Sequence, residues 1–306
     1  MATSQQRATA RIGVDLGGTK IEAVALDKSG AILARERVPT PPGYRETVQA
    51  VEQLVRGIES TLNITGTVGI GIPGVVTPHT GLVKNANSTW LIGKPLQADL
   101  EMELVRPVRV MNDANCFALS EAADGAAAGA ASVFGVILGT GVGGGIVIDG
   151  KVLDGVNLIA GEWGHNPLPW MREDEFPGPE CYCGKIGCIE MFVSGPAFER
   201  EYAIRSGGRM SAKDIVQAAQ NGDPTARAEL TTYYDRLARA LSSVINLLDP
   251  EVIVLGGGMS NTAGLAAAVA SLLPKYVFSD TVETQVVGNK HGDSSGVRGA
   301  AWLWPG

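Results

Sequence analysis

Two stretches of the chain alternate apolar and polar positions around a cluster of glycines, and they organise the reading of the rest. In residues 11–26, RIGVDLGGTKIEAVAL, the alternation of Ile12, Val14 and Leu16 and then of Ile21, Ala23 and Ala25 predicts strand, glycine turn, strand: a hairpin with one buried face. Residues 132–152, SVFGVILGTGVGGGIVIDGKV, repeat the pattern about 120 residues later and end in Asp149-Gly150, a hairpin signal. Two such units half a chain apart predict two similar domains facing one cleft. Elsewhere the period changes. Val48, Val51, Leu54, Val55 and Ile58 predict a helix over 45–62, and Leu230, Tyr234, Leu237, Leu241, Ile245 and Leu248 predict another over 226–248, stopped by Asp249-Pro250. Residues 67–73, 108–111 and 251–255 read as short buried strands, and the tail from His291 ends in a small-residue helix that returns to the first domain.

The glycines sit where these strands turn. In DLGGTK, Asp15, Gly17, Gly18, Thr19 and Lys20 form the first turn. Glycine lets backbone N–H groups approach a phosphate, Thr19 and Lys20 add donors, and Asp15 suits a Mg²⁺ shell through water. A plain Gly-Gly hairpin turn fits the same residues. The second turn, GTGVGGG, carries Gly139, Thr140, Gly141 and Gly143, and the shared G-T pair strengthens both as phosphate loops. Gly256, Gly257 and Gly258 form a third run, read either as backbone lying against a base or ribose or as close packing of helix on sheet.

Polar clusters supply the remaining candidates. KNANSTW brings together Asn85, Asn87, Ser88 and Thr89 in a loop, with Trp90 as a wall for the apolar face of a sugar. Asn112 and Asp113 stand where a strand runs into a helix, so Asp113 is either a helix cap, which spacing alone favours, or a general base at a sheet rim. Cys116 on the helix behind reads as buried and inert. Three of the 4 cysteines, Cys181, Cys183 and Cys188, fall within eight residues, and His165 precedes Cys181 by sixteen. Three thiolates and an imidazole make the Cys₃His set of a closed structural Zn²⁺ site. A disulfide or three unrelated thiols are the alternatives, and the sixteen-residue gap leaves the fourth position open. Gly184 and Gly187 allow the chain to turn back, and Glu162 and Glu190 bracket the cluster.

A net charge of −7 argues against a nucleic-acid surface, which needs a basic stripe. The N-terminal MATSQQRATAR lacks the apolar core of a signal peptide, and the longest uncharged apolar run, 133–148, is too short and glycine-rich to span a bilayer. A cytoplasmic protein with no membrane partner is expected.

With these pieces together, the chain resembles the ROK family of sugar kinases. The resemblance rests on DLGGTK (15–20), GIPG (71–74), NDAN (112–115), GTGVGGG (139–145), GEWGH (161–165), CYCGKIGCIE (181–190) and LGGGMS (255–260), in the family's order. It implies an α/β, two-domain actin-like (ribonuclease H-like) ATPase fold of hexokinase type with an interdomain cleft. The expected domains are 1–116 plus about 291–306, and 117–290 with a zinc loop. It implies ATP, Mg²⁺ and structural Zn²⁺, and it makes Asp113 the general base for the sugar's primary hydroxyl. Gly74, Asn87, Asn112, Glu162, His165 and Glu190 would hold the sugar, with His165 also a zinc ligand. The first two glycine turns would hold ATP phosphates, with Gly256, Gly257 and Gly258 near the adenosine. A homodimer is implied by the resemblance alone. Within the family, NANSTW and GEWGHNPLPW look most like the fructokinases, also called manno(fructo)kinases, so 6-phosphorylation of fructose, with mannose second, is the leading expectation. The N-acetylglucosamine kinases, which share NDANCFALSEA, come next and glucokinase third. The family also includes sugar-sensing repressors; these carry an N-terminal helix-turn-helix, and only ten residues precede Arg11.

Overall fold

The computed structural model describes residues 9–85 and 88–304. The chain forms two compact units, one running to Asp124 and taking in Asp154–Leu158 and the segment from Asp293, the other Gly125–Leu153 with Ile159–Gly292.

In the first unit, β1 (Thr9–Leu16), β2 (Lys20–Leu26) and β3 (Ile32–Pro39) are successive antiparallel strands. Helix α1 (Tyr44–Leu62) leads into β4 (Thr65–Ile72), which lies parallel to β1. A short ribbon, β5 (Val75–Val76) and β6 (Val83–Lys84), precedes α2 (Leu96–Leu104), β7 (Val108–Asn112) and α3 (Asp113–Ala123). The sheet order is β3-β2-β1-β4-β7.

The second unit repeats this plan. Its first hairpin is β8 (Ser132–Leu138) and β9 (Val142–Ile148), extended by β10 (Lys151–Val152). Helices α4 (Glu190–Val193), α5 (Gly195–Ser206), α6 (Ala212–Gln220) and α7 (Pro224–Leu248) follow, then β11 (Val252–Gly256), α8 (Leu265–Leu272) and β12 (Gln285–Gly288). The order is β10-β9-β8-β11-β12, with β11 parallel to both β8 and β12. An antiparallel hairpin followed by parallel strands, built twice, is the expected actin-like, hexokinase-type α/β fold.

The last helix, α9 (Ser295–Trp302), belongs to the first unit and corrects one expectation. The β1–β2 hairpin is buried on both faces. One face packs on Val51, Val55 and Ile58 of α1, while Val24 and Leu26 on the other face pack on Val297 and Ala301 of α9. Among the described residues, no helix is long and apolar enough to cross a membrane.

In α/β sheets of this kind, ligands gather at the carboxyl ends of the parallel strands. Those ends carry Asp15 near the end of β1, Gly74 just after β4 and Asn112–Asp113 where β7 meets α3 in the first unit, and Gly139 just after β8 and Gly256 at the end of β11 in the second.

Candidate active site

The first glycine turn is tight: Gly17 N donates to Lys20 O at 3.1 Å, and Thr40 Oγ1 donates to Gly17 O at 2.8 Å. Lys20 opens β2 with its Nζ 3.8 Å from Glu22, whose buried carboxylate also pairs with Arg35 and Arg37. Thr19 and Gly18 are exposed at the tip. Burial pushes the Asp15 carboxyl up to about 6, reinforced by Glu22 and only partly offset by Lys20 and Arg37. A carboxylate desolvated this way fits a divalent cation, since a bound positive charge would offset its burial cost.

At the end of β7, the helix cap is Asn112 rather than Asp113. Asn112 Oδ1 accepts from Ala114 N at 2.9 Å and Asn115 N at 3.4 Å, so its Nδ2 takes no part in the cap. Asp113 occupies the first helical turn, with Oδ1 accepting from Ala114 N at 2.8 Å. The carboxylate therefore stands at the positive end of α3, held but not consumed by capping. Gly74 is buried, its N donating to Ile72 O at 2.9 Å. Asn87 lies outside the described residues. Trp90 is not a free wall for a sugar: it packs on the first unit's core and donates from Nε1 to Thr47 Oγ1 at 3.3 Å.

In the second unit the glycine turn is shorter than its motif. Gly139, Thr140 and Gly141 make the turn, with Gly139 N donating to Gly141 O at 2.9 Å, while Gly143 lies inside β9 opposite Ile137. The later glycines of the motif serve packing. A Cβ on Gly144 would come within 2.7 Å of Gly161 O, and Gly161 itself has a φ of +91°, so the GEWGH segment lies directly on β9. Gly257, at φ +81°, stands so close to Leu138 that a Cβ would sit 2.6 Å from its carbonyl, whereas Gly258 faces open space. The third run therefore mixes both readings: close packing at Gly257, access at Gly258. The N-terminus of α5 abuts the turn as well, Gly195 N donating to Gly139 O at 2.9 Å.

The cysteine stretch folds back on itself. Pro167 bridges to Cys188, Leu168 N donates to Gly187 O at 2.9 Å and Ile189 N donates to Asn166 O at 2.8 Å. This pairing closes the sixteen-residue gap. The ligand atoms of His165, Cys181, Cys183 and Cys188 all lie within 4.8 Å of one another, with His165 Nδ1 3.6 Å from Cys181 Sγ and the Cys183 and Cys188 sulfurs also 3.6 Å apart. All four cysteines are free thiols. The donor set is the soft-ligand Cys₃His set that suits Zn²⁺.

The two carboxylates beside the cluster differ. Glu162 is exposed, while Glu190 is buried, and its Oε2 accepts the Val142 N–H at 2.8 Å. Glu190 thus braces the glycine turn with one oxygen, a use the sequence did not suggest. The second ring nitrogen of His165 is also taken: Nε2 lies 3.0 Å from the Tyr182 hydroxyl instead of facing open space.

These observations meet those from known proteins. The ROK family profile matches residues 11–306. This chain belongs to the ROK family. The N-acetyl-D-glucosamine kinase of Vibrio cholerae is 43% identical over 296 residues, 95% of this chain and 98% of that protein. A ROK hexokinase structure from Thermus thermophilus superposes with a TM-score of 0.85 at 31% identity, covering 96% of this chain and 97% of that one. A ROK family glucokinase from Streptomyces griseus, solved with glucose and AMPPNP, gives a TM-score of 0.77 at 32% identity, covering 96% and 98%.

In this ROK chain, sequence reasoning missed the scaffold under the ligand loop. Glu175 is buried between Arg236 and Arg239 of α7, with Arg239 Nη2 donating at 2.7 Å and Arg236 Nε at 2.8 Å. Arg239 also donates to the carbonyls of Pro169 and Trp170 at 3.1 and 2.9 Å. Burial raises the Glu175 carboxyl, but hydrogen bonds from Arg239, Arg172 N and Arg236 outweigh it and bring it down to about 2. The signal was present: two arginines sit among the apolar positions of an otherwise amphipathic helix.

Proposed function

We propose that this protein is an ATP- and Mg²⁺-dependent kinase that phosphorylates the 6-hydroxyl of N-acetyl-D-glucosamine. The carrying observation is the 43% identity, over 95% of the chain, with an N-acetyl-D-glucosamine kinase. That identity supports the N-acetylglucosamine reading, which NDANCFALSEA also carries, over the fructose preference expected from NANSTW and NPLPW. Trp90, the residue that made NANSTW look like a sugar wall, is engaged with Thr47 instead.

Asp113 takes the proton from the attacking hydroxyl. The sugar-binding candidates of the first unit are Gly74, Asn87 and the Nδ2 of Asn112; those of the second are Glu162, His165 and Glu190. The turns around Gly17, Gly18, Thr19 and Lys20 and around Gly139, Thr140 and Gly141 offer backbone N–H groups and the Lys20 ammonium to the phosphates, with Gly258 near the adenosine. Phosphoryl transfer needs mainly such positioning and charge stabilisation. Mg²⁺ near Asp15, when bound, supplies charge neutralisation at the phosphates. Zn²⁺ on the Cys₃His set, when bound, fixes the fold of the loop that carries Glu162 and Glu190.

A coupled ATP-consumption assay over N-acetylglucosamine, N-acetylmannosamine, glucose, mannose and fructose tests the reading. The expected outcome is highest kcat/KM with N-acetylglucosamine and no turnover without Mg²⁺. A fructose maximum would return the specificity to the fructokinases, and no turnover with any sugar would end the kinase reading.

A further inference from the structure

A buried carboxylate lies between the first glycine turn and the edge strand of its sheet. Glu22 stands in β2, two residues after Lys20, and faces Arg37 of β3 across the strands; its side chain is only 2% exposed. Two arginines divide its oxygens between them. Arg35 holds Oε1, with Nε and Nη2 each at 2.7 Å. Arg37 holds Oε2, with Nε at 3.0 Å and Nη2 at 2.5 Å. Lys20 approaches the oxygen that Arg37 fills, but its Nζ stops 3.8 Å away, an ion pair without a hydrogen bond. Among the described residues, Glu22 is the only ion-pair partner of Lys20.

Who occupies Glu22 decides what the lysine can do. An ionised carboxylate has about four acceptor sites, and the Nε and Nη2 groups of the two guanidiniums fill them. A buried carboxylate stripped of one partner is strongly destabilised and draws in the nearest cation. Here that cation is Lys20, half-exposed at the turn on a flexible stem. Glu22 therefore competes for the ammonium that a phosphate would use, and Arg37 keeps the competitor occupied. Three cations around one anion also leave positive charge beside the turn, which favours a phosphate.

We propose that Arg37 is a positioning residue: by filling the Glu22 oxygen nearest Lys20, it keeps the Lys20 ammonium free for the phosphates of the nucleotide. This rests on the reading of the first glycine turn as a phosphate site and deepens it. Arg35, on the other oxygen, has no such part.

The test combines KM for MgATP, kcat and ADP binding by calorimetry across a set of variants. Lys20→Met should weaken nucleotide binding by about 10–100-fold, the worth of hydrogen bonds to a charged group. Arg37→Met should lose about tenfold in KM for MgATP and in ADP affinity with kcat nearly unchanged, whereas Arg35→Met should lose less than about threefold. Adding Glu22→Gln to Arg37→Met removes the competing charge and should restore nucleotide affinity to within about threefold of wild type. In a Lys20→Met background, Arg37→Met should cost nothing further, because it acts through that lysine. Equal losses from the two arginines, or no recovery with Glu22→Gln, would make the cluster purely structural and overturn the proposal. A cost of Arg37→Met that persists without Lys20 would place the effect on Asp15 and overturn it as well. Melting temperatures check folding, and if Arg37→Met is unfolded, Arg37→Gln carries the same comparisons. A wild type that neither binds ADP nor consumes ATP with any sugar fails at the kinase reading itself, which separates that failure from one confined to Arg37.

Discussion

Glu190 Oε2 accepts the backbone N–H of Val142 at 2.8 Å, joining the residue that closes the CYCGKIGCIE motif to the first residue after the second glycine turn. Because Glu190 follows Cys188 by two positions, anything that orders the cysteine loop also orders the turn. Cysteine loop and glycine turn are in this sense one mechanical part.

Glu190→Gln keeps the size of the side chain and weakens the charge-assisted bond to Val142. Turnover should fall on the order of 10–100-fold while zinc per chain stays at wild type, because no ligand is touched. Kinetics and elemental analysis on the same preparation check this; loss of zinc would show that Glu190 serves the cluster instead.

The Cys₃His geometry predicts about one zinc per chain. Cys183→Ser should lose the metal, lower the melting temperature and abolish activity, since folding of the loop is coupled to the ion. Full activity in a zinc-free preparation would detach the metal from the site.

Asn112 and Asp113 separate capping from chemistry. Asp113→Asn should lose about 10²–10⁴-fold in kcat with the melting temperature unchanged, because the cap at Asn112 remains. Asn112→Ala should cost about 1 kcal/mol of stability as well as activity. Thermal melts beside kinetics distinguish the two.

These outcomes also mark what the sequence could and could not carry. The β1–β2 and β8–β9 hairpins were legible because alternation and glycine turns are local signals. Strand β3 was not, since Ile32–Pro39 is almost wholly exposed and leaves no burial pattern. The cluster of three cysteines was plain in the spacing, but the seat of His165 depends on the pairing of 166–168 with 187–189, a tertiary event. The chemistry of Asp113 was ambiguous because cap and base favour the same position; only the hydrogen bonds of Asn112 relieve it of the first role. Gly144 and Gly257 look in sequence like the other glycines of their runs, and only the structure shows the backbone that a Cβ there would meet.

Asp15 gives a pH dependence with a definite sign. Its folded value of about 6 lies above the ordinary 3.8, so the fold prefers the protonated form. Stability therefore falls as pH rises from about 4 to about 6, by on the order of 3 kcal/mol at most. Asp15→Asn should melt higher than wild type at pH 7, equal it near pH 4, and lose turnover. A variant that melts lower at pH 7 would contradict the burial cost.

Glu175 works in the opposite direction. Its value of about 2 lies below the ordinary 4.5, so it stabilises the fold above that pH and loses this contribution as pH falls toward 2. Arg239→Met should cost about 3–5 kcal/mol by leaving the carbonyls of Pro169 and Trp170 without this donor and Glu175 with only Arg236 and the Arg172 N–H. Chemical denaturation at pH 7 measures that loss, and a change below about 1 kcal/mol would show the network to be dispensable.

The most direct test of the account is a competition experiment. Equimolar N-acetylglucosamine, glucose and fructose are given to wild type and Asp113→Asn with limiting MgATP, and the phosphorylated products are quantified by NMR. N-acetylglucosamine 6-phosphate as the dominant wild-type product, with almost none from the variant, is the predicted result. A dominant fructose phosphate, phosphate on another hydroxyl, or an Asp113→Asn enzyme that keeps its rate would contradict it.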